Sequence, residues 1–233
     1  MKTASISNWA LFHLFFPHQC IGCGSDILSH EQLVCLGCIQ DLPHTRFALH
    51  ANNPVEKIFW GRIVVQNAMS EFYFSKSSVI QNLIHEMKYR GNTKAGMYLG
   101  NLMGRSLKES VRFADVDCLV PLPLFAKKEK HRGYNQSEIL CKGIQEILPL
   151  PIITKNVIRV KATETQTKKG RTERWQNVDS TFAVSDGASL AGKHVLLVDD
   201  VITTGATLEA CAGEILKTTG ARVSIATLAM AMK

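Results

Sequence analysis

The sequence predicts an α/β fold: a parallel sheet covered on both faces by helices, with a small metal-binding module ahead of it. Three observations predict it. From residue 68 onward, short apolar runs alternate with segments of helical period, which marks strand–helix–strand units. One run, Val195-Leu196-Leu197-Val198, is apolar at every position, as expected for a strand buried on both faces. Near the start, four of the seven cysteines form two Cys-x2-Cys pairs.

The first apolar stretch, Trp9 to Phe16, contains His13. It is far shorter than the roughly 20 apolar residues of a membrane span. Its only preceding basic residue is Lys2, and no small-residue cleavage site follows, so it does not read as a signal peptide. A short packed helix, no membrane insertion and a cytoplasmic protein are expected. Cys20, Cys23, Cys35 and Cys38 follow in the pattern C-x2-C-x11-C-x2-C. Each pair can turn two thiolates onto one ion, and four protein ligands make a closed, structural Zn²⁺ site. An iron–sulfur cluster or a disulfide pair remain alternatives. A module of this size has little core, so the metal would supply much of its folding energy. Cys118, Cys141 and Cys211 stand beside apolar residues and are expected to pack as small hydrophobes. The module is assigned residues 1–50, and the α/β domain 51–233.

Within that domain, 68–74 is expected as a strand. Residues 77–89 form a helix with Ile80, Leu83, Ile84 and Met87 inward. A second helix covers 94–109, where Gly96, Gly100 and Gly104 share one face, a pattern for close helix packing. A strand at 117–122 ends at Pro121 and Pro123. A basic loop leads into a helix at 135–148, with Ile139, Leu140, Ile144 and Ile147 on its apolar face. Strands at 152–160 and 180–184 flank a polar segment, 163–177, with a central glycine and no apolar period, the properties of a lid. A strand at 194–199, a helix at 207–218 and a strand at 222–229 complete the chain.

The net charge is +7. Lys127, Lys128, Lys130 and Arg132 against Glu129 supply three of these charges. Lys161, Lys168, Lys169, Arg171 and Arg174 against Glu164 and Glu173 supply three more. Positive charge concentrated in this way points to a polyanion, a phosphorylated small molecule or nucleic acid. Neither a Walker loop nor a dinucleotide fingerprint is present.

The sharpest motif is Asp199-Asp200-Val201-Ile202-Thr203-Thr204-Gly205-Ala206-Thr207, lying between the apolar strand and a helix. Backbone N–H groups and hydroxyls at a helix start suit a phosphate. An acidic pair beside them would repel phosphate unless it faced sugar hydroxyls or a metal. A phosphorylated sugar satisfies both halves. The run resembles the motif with which type I phosphoribosyltransferases bind 5-phosphoribosyl-1-pyrophosphate (PRPP). The wider pattern V-P-L-P, R-G-Y-N-Q, T-x-x-Q, R-x-x-R-x-x-N-V and V-D-D-V-x-T-T-G-A-T, behind the four-cysteine head, resembles the ComF family.

That resemblance implies several assignments. The fold would be of the type I phosphoribosyltransferase type. Thr203, Thr204, Gly205, Ala206 and Thr207 would hold the 5-phosphate, and Asp199 and Asp200 the ribose. Arg132, with Arg171 and Arg174 from the lid, would hold the pyrophosphate, and Mg²⁺ would accompany PRPP. Gln166 and Asn177 belong to the same motif, as binding residues or as staples for the loop. ComF relatives are also associated with DNA uptake in natural competence, which implies single-stranded DNA and a helicase-like partner. A protein that senses PRPP without turning it over is a further alternative. No general base and no acceptor site stand out in the sequence.

Overall fold

The computed structural model describes residues 18–26, 28, 32–160 and 181–231. The Trp9–Phe16 helix and the 163–177 lid expected above therefore lie outside the described residues, as do Gln166, Arg171, Arg174 and Asn177.

The helices are α1 (Leu36–Gln40), α2 (Pro54–Phe59), α3 (Val79–Tyr89), α4 (Thr93–Lys108), α5 (Ala126–Arg132), α6 (Gln136–Ile147) and α7 (Ala206–Thr219). The strands are β1 (Ala68–Phe74), β2 (Cys118–Pro121), β3 (Val157–Arg159), β4 (Phe182–Val184), β5 (His194–Ile202) and β6 (Arg222–Ala231). Four of the strands form one parallel sheet in the order β1-β6-β5-β2. β5 is buried from His194 to Val198, as its unbroken apolar run requires. Among the described residues, no helix is long and apolar enough to cross a membrane.

The order of the strands locates the functional edge. From β5 the chain crosses through α7 to β6 on one side, whereas β2 sends α6 toward the other. Right-handed crossovers then place α7 on the face opposite α4 and α6. The connections diverge between β5 and β2, so a crevice opens at their carboxyl ends. α4 and α6 pack backbone to backbone. A Cβ on Gly100 would lie 2.3 Å from the Leu140 carbonyl, and one on Gly143 would lie 2.3 Å from that of Met97. The expected glycine face is this contact. Cys118, Cys141 and Cys211 are fully buried, as their apolar neighbours suggest.

Two expectations are corrected. Residues 127–132 belong to α5, not to a loop. Glu129 in its first turn and Lys130, His131 and Arg132 in its last complement the helix dipole, and Gly133 closes it with φ +82°. The strand expected at 152–160 is broken: Ile152 makes a lone parallel bridge to Leu119, and Lys155 adopts φ +67°. Only β3 continues, pairing antiparallel with β4 as a separate two-stranded sheet.

The cysteine region shares the core of the sheet. Cys20, Cys35 and Cys38 are continuous with Phe72, Leu83 and Ile225 in one buried cluster, and Asn82 Nδ2 donates to the Gly22 carbonyl at 2.7 Å. Thr45 N–H bonds to Glu71 O and Tyr73 N–H to Pro43 O, each at 2.9 Å. Backbone pairing with β1 thus begins before residue 50.

Candidate functional site

The crevice is built by the end of β5 and the turn after β2. Leu122 N–H donates to Val198 O at 2.8 Å, and Asn135 Nδ2 donates to Leu122 O at 3.0 Å, so the Pro121–Leu124 turn is fixed against β5. Asn135 also caps α6 through Ser137 N–H. That cap delivers the Ser137 hydroxyl to Asp199 Oδ1 at 3.1 Å. Asp200 lies buried on the other side of the strand, and its Oδ2 is 2.7 Å from Lys88 Nζ at the end of α3. The same helix end accepts the Tyr134 hydroxyl at the Met87 carbonyl.

These two carboxylates differ in what surrounds them. Asp200 has a cation. Asp199 accepts from the Ser137 hydroxyl and the Asp200 backbone N–H, yet burial, followed by the charge of Asp200, pushes its carboxyl up to about 7. Across the turn is Arg159, the last residue of β3, with its guanidinium carbon 3.7 Å from the Phe125 ring centroid and 5.2 Å from that of Phe182. Its Nε is buried and without a hydrogen-bond partner. Burial pulls its affinity for the proton down, while Asp199 acts the other way.

The loop after β5 is shaped for an anion. Gly205 caps α7 in the left-handed region, at φ +73°, with no side-chain cap. By contrast, Asn53, Ser78, Asn92 and Asn135 cap α2, α3, α4 and α6 with their side chains. Apart from Ala206 N–H, which is 3.5 Å from Thr204 Oγ1, the first N–H groups of α7 are therefore left for a ligand. A Cβ at Gly205 would also meet Ile58 at 2.6 Å, so both conformation and space select glycine. Thr203, Thr204 and Ala206 are exposed, and Thr207 is half-buried. Arg62 clamps the loop from below, donating to Thr204 O at 3.0 Å and pairing with Glu209. A cleft of about 620 Å³ opens beside it, lined by Ile58, Arg62, Tyr73, Thr203, Thr204 and Met230 among others.

Arg132, expected to hold the pyrophosphate, stands at the end of α5. Its Nη1 donates to Gln136 Oε1 at 2.7 Å, and the guanidinium lies over the Tyr89 ring at 5.5 Å. Sequence reading missed Lys88, Arg62 and Arg159. A helix-end lysine or a strand arginine carries no motif, because its role comes from the tertiary partner. Ser137 directly follows the R-G-Y-N-Q pattern, and its role likewise comes from a tertiary partner.

The four cysteines form the second site. Their Sγ atoms all lie within 4.8 Å of one another. Cys20 to Cys38 and Cys23 to Cys35 are each 3.8 Å, which matches the edge of a tetrahedron with metal–sulfur bonds of about 2.3 Å. Backbone N–H groups of Gly22 and Cys35 point at Cys20 Sγ, at 3.4 and 3.3 Å, as donors to a thiolate do. Hydrogen bonding from Ser25 brings the exposed Cys23 thiol down to about 6, whereas burial pushes Cys38 far up. Among the described residues this is the only such cluster, and the donor set fits a tetrahedral metal ion.

Residues 137–233 match the family described as phosphoribosyl transferase domain. The chain is 27% identical over 210 residues to competence protein F of Haemophilus influenzae, covering 83% of this chain and 89% of that one. It is 26% identical over 209 residues to the DNA utilization protein YhgH of Salmonella typhimurium, covering 88% and 81%. Competence protein ComFC of Bacillus subtilis is 37% identical over 90 residues, covering 39% of this chain and 34% of that one. Residues 137–233 thus match a phosphoribosyl transferase domain, a four-cysteine cluster lies ahead of them, and the relatives the chain resembles carry the names competence protein F, DNA utilization protein YhgH and competence protein ComFC.

Proposed function

We propose that this protein binds PRPP at the carboxyl ends of β5 and β2 and transfers its phosphoribosyl group to an acceptor nucleophile, releasing pyrophosphate. The observation that carries this reading is the pairing of an uncapped helix start with a proton-hungry carboxylate one strand end away. The N–H groups of α7 receive the 5-phosphate, with Thr203, Thr204 and Thr207 hydroxyls around it. The ribose hydroxyls donate to Asp199, beside the Ser137 hydroxyl, while Asp200, held by Lys88, fixes the strand end and adds negative charge. The acceptor would approach through the cleft between Tyr73 and Thr204.

As the acceptor attacks C1, the bond from C1 to the pyrophosphate oxygen breaks. The electron pair leaves with that oxygen, and the acceptor's proton passes to solvent. Charge stabilisation and positioning, rather than proton transfer by the protein, carry such a step. Mg²⁺ would enter as the salt of PRPP and would offset the charge of the departing pyrophosphate, with Asp199 and Asp200 as the nearby carboxylates. The four cysteines would hold a structural Zn²⁺. Elemental analysis of the purified chain should find a single zinc, and iron in its place would overturn that choice.

The relatives' names connect them to competence and DNA utilization, and we extend that setting, in the cytoplasm, to this chain. The exposed Lys128, Lys130 and His131 on α5 favour a second, compatible reading, in which a single strand and its helicase-like handler approach the same edge. Binding to single-stranded DNA would then weaken steeply with salt. The direct test is calorimetry with Mg²⁺–PRPP on the double variant Asp199→Asn/Asp200→Asn. Loss of binding of more than about 100-fold, roughly 3 kcal/mol, with the fold intact, is expected. Unchanged heats would remove the site.

A further inference from the structure

Arg159 is a cation held in an aromatic cage, with no ion-pair partner among the described residues. It ends β3, and its guanidinium lies against the ring of Phe125 at 3.7 Å and near Phe182 at 5.2 Å. Phe125 stands at the start of α5, directly after the turn that β5 holds through Leu122 N–H. Phe182 is fully buried on β4. The cage is therefore assembled from the β2 turn and the β3–β4 hairpin, and it stands at the crevice edge.

The guanidinium makes no ion pair and donates no hydrogen bond among the described residues, and its Nε is buried. Asp199 is close enough to act on it, yet that carboxylate accepts from Ser137 instead. A half-buried charge left in this state is costly. The rings sheathe the faces of the guanidinium, fix its plane and leave its N–H edge as the only binding surface. An edge of parallel donors matches the oxygens of a phosphate in a bidentate way. Because the rings already hold the side chain, little rotamer freedom is lost when an anion arrives.

Resting on the PRPP reading above, the position selects which anion. The 5-phosphate belongs at α7 and the ribose at Asp199, so the part of the ligand pointing away from α7, toward the β2 turn, is the pyrophosphate. We propose that Arg159, caged by Phe125 and Phe182, is a pyrophosphate-binding cation of this site.

Calorimetry on the full chain with Mg²⁺–pyrophosphate, Mg²⁺–PRPP and ribose 5-phosphate tests this. Arg159→Gln should weaken pyrophosphate and PRPP by about 30-fold and leave ribose 5-phosphate within about twofold, with Phe125→Leu showing the same pattern at about threefold. Thermal melting checks that each variant is folded, and Arg159→Lys, which keeps the charge but loses the fork, should fall between wild type and Arg159→Gln. If Arg159→Gln binds pyrophosphate as tightly as wild type, or loses ribose 5-phosphate equally, the assignment of Arg159 is overturned while the PRPP site stands. If the wild-type chain itself binds no PRPP, the reading beneath it falls.

Discussion

The two ends of the main sheet carry similar groups and treat them in opposite ways. At the amino end, His194 is buried at the start of β5, with Nδ1 2.9 Å from Asp115 and Nε2 2.8 Å from Ser224 Oγ. Arg222 meets the other Asp115 oxygen at 2.7 Å, and Asp117 accepts from His194 N–H at 2.7 Å. The Arg222 hydrogen bond, against a small cost of burial, holds the Asp115 carboxyl below its usual range. Serine, histidine and aspartate line up there as in a hydrolase, but Ser224 has no exposed surface, so no substrate can reach it. At the carboxyl end, Asp199 is pushed up to about 7 and Arg159 lacks a partner for its Nε. The satisfied end secures the fold; the unsatisfied end is kept ready for a ligand that completes it.

The largest expected effect breaks the satisfied end. His194→Ala leaves a cavity on β5 and removes the imidazole bonds to Ser224 and Asp115, which should cost roughly 3 kcal/mol. Thermal melting should drop by about 6–12 °C for a chain of this size. PRPP affinity at the opposite edge should stay within about twofold. A variant that melts normally, or one that loses PRPP in proportion to stability, would erase the division of labour between the ends.

The contrast also explains what could be read in advance. β1, β5, β6 and the helices around them are fixed by local patterns: unbroken apolar runs, inward Ile80, Leu83, Ile84 and Met87, and the glycine face that meets α6. The Asp-Asp to Thr-Thr-Gly segment was legible because its chemistry is contiguous in sequence. The rest of the site was not, because it is made by distant pairs. Lys88 reaches Asp200 from α3, Arg62 reaches Thr204 from beyond α2, and Arg159 meets Phe125 across two separate turns. The break at Lys155 and the helix at 126–132 were missed for a related reason. A charged segment without apolar period looks the same as loop or as exposed helix until its neighbours are placed.

A smaller effect sharpens the comparison through pH. An aspartate in the unfolded chain titrates near 3.8, whereas folded Asp199 titrates at about 7. Between these values the native state keeps a proton that the unfolded state has released, so stability falls as pH rises, and the loss is complete above about pH 7. Roughly 4 kcal/mol is at stake from Asp199 across that whole range, and somewhat over half of it between pH 5 and pH 8. Urea unfolding at pH 5 and pH 8 should show this decline in wild type and a flatter profile in Asp199→Asn, which has nothing to ionise. Ligand binding should run the other way. Ribose hydroxyls donate best to the ionised carboxylate, so ribose 5-phosphate should bind more tightly as pH rises from 6 to 8. Asp115 at the amino end gives no such slope in this window, because its pairing favours the ionised form and its titration lies well below pH 5. An Asp199→Asn profile parallel to wild type would mean that the strain at the carboxyl end resides elsewhere than in Asp199.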